Sequence, residues 1–189
     1  MRIEHVRDLG RLNAVVEVGV KRVFASAIDY PGWARSAKSP DAAIEALLQY
    51  RERYSVIASL AGEVLPDSLE VTVVDELVGN ATTDFGAPGI VSSLETKDLD
   101  PEQAARLDRL LAACRARFDE IASLAPAELR KGPRGGGRDT HAIVMHVDEA
   151  EAAYRRKKTW PHPYAIRRTA WHLTDHLWEI EDRSDPFSR

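Results

Sequence analysis

The spacing of apolar residues changes character twice along this chain. Residues 15–18 and 21–27 read as two strands around Gly19. In the second, Val23, Ala25 and Ala27 alternate with Arg22, Phe24 and Ser26, the period of two of a strand with one face inward. Tyr30-Pro31-Gly32 is a turn signal, and Trp33-Ala34-Arg35-Ser36 reads as a third short strand. The period then lengthens: Ile44, Leu47, Leu48, Tyr54 and Ile57 form the apolar side of a helix running from Pro40 to about Ala61. Its start is well signalled, with Ser39 as cap, Pro40 in the first turn and Asp41 near the positive end of the helix. Residues 69–74 read as one more strand. Residues 79–89 are rich in turn formers, as in a crossing between domains or a functional loop.

From residue 100 onward the period is helical. Asp100-Pro101-Glu102-Gln103 supplies a cap, a first-turn proline and a glutamine able to reach back, predicting a helix to about Ser123. Residues 126–129 read as one short turn. Asp139 is expected to cap a second long helix ending near Lys157. Pro161-His162-Pro163 breaks the chain and opens a third, ending near Arg183. The expected class is α+β: a small antiparallel sheet with a helix over residues 1–75, a linker over 76–99 and a helical domain over 100–189.

Composition adds bounds. Of 189 residues, 44% are hydrophobic and 30% charged, the balance of an ordinary globular chain. No apolar run approaches the roughly 18 residues of a membrane helix, and Met1-Arg2-Ile3-Glu4-His5-Val6 lacks the apolar core of a secretory signal, so a cytoplasmic protein without a membrane partner is expected. A net charge of −4 argues against nucleic acid as partner. The one cysteine, Cys114, can form no intrachain disulfide. It falls in register with Leu107, Leu110, Leu111, Phe118 and Ile121, as a small buried hydrophobe. Trp171 and Trp178, seven apart, share a face as packing residues.

The chemistry-bearing residues concentrate in the helical half. His172 and His176 are one turn apart on the third helix, flanking the stripe of Ile166, Ala170, Leu173, Leu177 and Ile180. His146 borders the stripe of Ile143, Val147, Ala150 and Tyr154 on the second. Two histidines at i and i+4 can address one ion, and a third from a facing helix completes a three-nitrogen site of the kind zinc or nickel accepts. The same spacing also suits imidazoles that simply hydrogen-bond nearby carboxylates, of which Glu149, Asp175 and Glu179 are the candidates. A second feature spans residues 129–139, where Arg130, Lys131, Arg134 and Arg138 accompany four glycines just before a helix start. Free N–H groups, the helix dipole and cations there favour a small anionic substrate, or else the cations pair with surface acids. His141 falls on a different face from His146, and His162, between two prolines, is expected to pack in the turn. No Gly-x-Ser-x-Gly elbow is present.

Two resemblances bear on these readings. Residues 24–33, with Asp29-Tyr30-Pro31-Gly32, followed by residues 39–47, resemble the HicB-like antitoxin fold, in which a strand leads through an aspartate–x–proline–glycine turn to a capped, alanine-rich helix. Residues 167–183 and 143–151 resemble the histidine-bearing helices of DinB-like helical-bundle proteins, a likeness that extends over residues 100–183. That second resemblance implies a divalent metal on His146, His172 and His176, and an activity such as hydrolysis or thiol and small-molecule transfer. The family bundle has four main helices, so the fourth is either missing here, supplied by residues 40–61, or supplied by another subunit. The alternative is a non-catalytic binding or regulatory protein acting through the HicB-like module. A homodimer is the default assembly, since two-fold dimers are the commonest.

Overall fold

The computed structural model describes residues 10–131 and 137–184. It is an α+β fold. Four strands, β1 (Gly10–Val18), β2 (Val23–Ala27), β3 (Ala34–Ala37) and β4 (Leu69–Val78), form one sheet in the order β3-β2-β1-β4. The helices are α1 (Pro40–Gln49), α2 (Arg51–Leu60), α3 (Ala81–Phe85), α4 (Pro101–Leu124), α5 (Thr140–Arg155) and α6 (His162–Ser184). The sheet is mixed rather than wholly antiparallel. β1, β2 and β3 pair antiparallel, but β4 lies parallel to β1. A parallel partner needs a long crossover, and α1 and α2 supply it.

β2 is buried along its whole length, although its alternation suggested one wet face. The alternation instead sorts its side chains between two cores. Val23, Ala25 and Ala27 join the main core, while Phe24 packs with Ala34, Ala87 and Trp171 on the other face. The expected helix over 40–61 is two helices, broken at Tyr50, whose φ of −92° and ψ of 5° leave the helical region. There the Tyr50 ring meets Trp178 of α6 with centroids 4.7 Å apart. Beyond the break, α2 runs beside α4 and is tied to α6 by Arg53, which donates to Glu181 at 2.6 Å and to Asp182 at 2.8 Å. Residues 51–60 thus give α4 and α6 a further helical neighbour. The loop over 79–89 contains the short α3, capped by Asn80.

The turn between β2 and β3 joins the two halves. Pro31, Gly32, Trp33 and Ala34 are all buried. Trp33 donates its indole N–H to the Leu47 carbonyl at 2.8 Å, and Tyr54 donates its hydroxyl to the Pro31 carbonyl at 2.8 Å. From the other side, Thr174 of α6 donates its hydroxyl to the Gly32 carbonyl at 2.6 Å. Cys114 of α4 is fully buried against the same turn, as its register suggested. Gly32 has φ +93°, and a β-carbon there would stand 3.0 Å from both Cys114 Sγ and Thr174 Cγ2, so the close approach requires glycine.

α4 begins and ends close to where its sequence signals placed it, with the reciprocal Asp100–Gln103 capping box formed. Asp139 stands at the N-cap of α5 but makes no side-chain cap. Its carboxylate accepts instead from the Leu129 N–H at 3.1 Å and from Lys131 Nζ at 3.0 Å. Among the described residues, no helix is long and apolar enough to cross a membrane.

Candidate metal centre

α5 and α6 are antiparallel neighbours joined by a short connection at residues 156–161. On α6, the i, i+4 spacing turns His172 and His176 to one side, and their ring centroids are 4.8 Å apart. His146 of α5 faces both, at 5.0 Å from each. The three rings make a nearly equilateral triangle, and one ligand atom from each lies within 4.8 Å of the others. The His146 and His172 Nε2 atoms approach to 3.2 Å. In a tetrahedral site with bonds of 2.0–2.1 Å, the ligand nitrogens would be roughly 3.3 Å apart. One edge of the triangle already has that length.

The surroundings disfavour the charged form of two of the imidazoles, His172 and His146. His172 is 7% exposed, and burial, reinforced by the His176 and Arg168 charges, pulls its pKa down to about 3. Burial also lowers His146, with the positive charge of Arg138 adding to the effect. Neutral imidazole is the form that offers a lone pair to a cation. His176 Nδ1 lies 2.8 Å from Glu179 Oε2. With the proton on Nδ1, the Nε2 lone pair is free to face the other two rings. Burial works to raise the Glu179 carboxyl, but the His176 hydrogen bond and the Arg183 pair outweigh it and hold it below the usual value.

The other expected neighbours are placed differently. Asp175 pairs with Arg35 at 3.5 Å. Glu149 is exposed, and its charge reaches His146 without a direct hydrogen bond between them. Of the three carboxylates expected near the histidines, Glu179 makes the contact.

Of the basic cluster, Lys131 is engaged by Asp139, and Arg130 donates to the Asp182 carbonyl at 2.8 Å while its own carbonyl accepts from Arg183. Arg138 is exposed, and its charge bears on His146 and His172. Arg134 lies outside the described residues. His141 is exposed. His162 is not packed in the turn: it is the first residue of α6, largely exposed, 3.5 Å from Asp108. At the first turn of α6 its ring reaches across to the α4 surface at Asp108 rather than into the core.

Arg168 was missed by the sequence reading. It lies four residues before His172, so Arg168, His172 and His176 step along one face at i, i+4 and i+8, a signal that was available. Its guanidinium stacks over the Trp171 ring at 4.5 Å and the Tyr154 ring at 5.0 Å. Burial pulls its pKa below the ordinary arginine value. Searches of family models, curated proteins and solved structures found no match to this chain.

Proposed function

We propose that His146, His172 and His176 hold one divalent cation, zinc or nickel, and that the protein acts as a DinB-like hydrolase or thiol and small-molecule transferase. The observation that carries this reading is the triangle of imidazoles from two helices, 4.8–5.0 Å apart. Three imidazole nitrogen donors suit these ions and leave a coordination position open. A cation so held supplies an activated water or polarises a substrate oxygen. The chain's own part is to fix the donors. Glu179 sets the His176 tautomer, and the packing of α5 on α6 sets the separation. The positive charge of exposed Arg138, which bears on His146 and His172, favours an anionic substrate.

Elemental analysis of the purified full chain tests this. About one equivalent of zinc or nickel is expected per chain, with almost none in a His172→Ala, His176→Ala double variant. Equal metal content in the two preparations would end the assignment.

A second reading is a cytoplasmic, non-catalytic binding protein with a HicB-like module, paired as a homodimer. One observation favours the pairing. Among the described residues, β4 is a ten-residue edge strand paired on one side only, bearing exposed Val73, Val74 and Val78. Sedimentation should then give a mass near twice 21.0 kDa, and Val74→Lys should return it to one chain.

A further inference from the structure

Three buried nitrogen atoms next to the histidine triangle have no hydrogen-bond partner among the described residues: Arg168 Nη1, Trp171 Nε1 and His172 Nδ1. They belong to side chains at i, i+3 and i+4 of α6, grouped by contact as well as by spacing. Arg168 Cζ is 4.5 Å from the Trp171 ring centre. The Trp171 and His172 rings are 6.0 Å apart, and Tyr154, beneath Arg168, is 5.8 Å from His172. Trp171 and His172 are 5% and 7% exposed, so bulk water has little access to either.

The three are alike in chemistry. Indole and guanidinium N–H groups only donate. His172 Nδ1 carries the proton whenever Nε2 gives its lone pair to a cation. A metal-bound histidine almost always hands that second N–H to an acceptor. His176 has Glu179 for this purpose, but His172 has no such partner among the described residues.

The neighbouring arginine sharpens the contrast. Arg167 is paired with Glu95 and donates to the Ile90 carbonyl at 3.0 Å. Arg168 pairs with no carboxylate among the described residues. The Trp171 and Tyr154 rings cover the guanidinium faces but cannot accept from its N–H edge. A buried donor without an acceptor costs more than a paired one gains, so the cluster is complementary to a ligand that only accepts.

We propose that Arg168, Trp171 and His172 form a carboxylate-binding subsite beside the histidine triangle, and that the protein's ligand is a small carboxylic acid. A planar carboxylate matches the guanidinium fork in two parallel hydrogen bonds. Its two acceptor oxygens, in one plane, fit the single guanidinium fork and the adjoining indole N–H. Tyr154, Trp160 and Tyr164, in ring contact at 5.3 and 5.0 Å, place flat apolar surface alongside for the rest of the ligand. The His172 contribution rests on the metal reading. Those of Arg168 and Trp171 do not.

The test is titration of the zinc-loaded full chain with benzoate and acetate, followed by calorimetry and tryptophan emission. Neutral benzamide and inorganic phosphate are run in parallel. Saturable benzoate binding is expected, with no binding of benzamide at the same concentrations. Arg168→Gln should weaken benzoate by about tenfold to a hundredfold, as expected for hydrogen bonds to a charged group. Trp171→Phe should weaken it several-fold, with zinc content unchanged in both. If Arg168→Gln fails to fold, Arg168→Lys keeps the charge and stem without the fork, and an intermediate loss is expected. The proposal is overturned if neither carboxylate binds saturably, if Arg168 variants bind benzoate like the parent, or if benzamide, or phosphate at a site lost in the Arg168 variants, binds at least as tightly. Zinc retained with benzoate indifferent to Arg168 sinks the subsite alone. Zinc absent with benzoate still dependent on Arg168 sinks the metal centre alone.

Discussion

Arg167 and Arg168 are adjacent in the chain, yet tertiary packing gives one a buried carboxylate and leaves the other with aromatic faces alone. The same question of who pairs with whom governs Asp139. It was expected to cap α5, yet its carboxylate is spent on Lys131 and on the Leu129 N–H. The Lys131 hydrogen bond, then the backbone one, hold its pKa below the ordinary aspartate value. The sign follows from linkage: a carboxyl whose native pKa is depressed stabilises the fold above its unfolded value, and that stability fades as pH falls through the native one. Asp139→Asn should therefore lower Tm modestly at pH 7. The gap between variant and parent should close as pH falls below about 4, the usual aspartate range. A gap that persists unchanged at pH 3 would show that the carboxylate charge is not what matters. Freed of Asp139, Lys131 would also add to the positive charge of the 130–138 segment.

At the scale of elements, legibility followed locality. α4 could be read nearly to its ends because its capping box lies within four residues. The i, i+4 placement of His172 and His176 was legible for the same reason, whereas the approach of His146 depends on how α5 packs on α6. The break at Tyr50 carries no glycine or proline to announce it, and is stabilised by contacts with α6. The β2–β3 turn was recognised as a turn, but turn chemistry normally implies a surface position, and nothing local showed that residues 31–34 would be buried. Gly32→Ala tests that position. It combines the strain of a positive φ with contacts at 3.0 Å to Cys114 and Thr174 and 3.2 Å to the Ala170 carbonyl. A loss of about 2–4 kcal/mol is expected from backbone strain and overpacking together. Gly62→Ala is the matched control, with φ +79° and open space around the added carbon. It should cost only the strain, about 1–2 kcal/mol. Equal losses in urea denaturation would remove the packing argument.

For the molecule as a whole, the question is whether the sheet half and the helical half are separable. The sequence suggested a linker over 76–99 between two modules. Residues 75 and 76 fall within β4, and the main core does not divide there. Leu12, Val16, Ala25, Trp33, Leu47 and Tyr54 belong to the same buried cluster as Phe118, Ile143, Leu173, Trp178 and Ile180. Polar ties cross the same boundary: Arg53 to Glu181, Arg106 to Glu63, and Thr174 to the Gly32 carbonyl. Each half therefore covers apolar surface that the other would expose, and separating them would forfeit roughly 1.5–3 kcal/mol for each large side chain uncovered. A chain whose two halves share one continuous core should unfold in a single step. Far-UV circular dichroism and tryptophan emission report on different parts of it, since Trp33 lies in the sheet half and Trp160, Trp171 and Trp178 in the helical half. Their urea midpoints should coincide. A fragment of residues 100–189, though it holds all three histidines, should lack a cooperative transition and bind no metal stoichiometrically. Two separated midpoints, or a fragment that melts sharply on its own, would mean that the halves fold independently. The triangle formed by α5 and α6 would then owe nothing to the sheet. Coincident midpoints would instead make the burial of His172, and with it the neutral state of its ring, depend on contacts that reach back to the turn at Gly32.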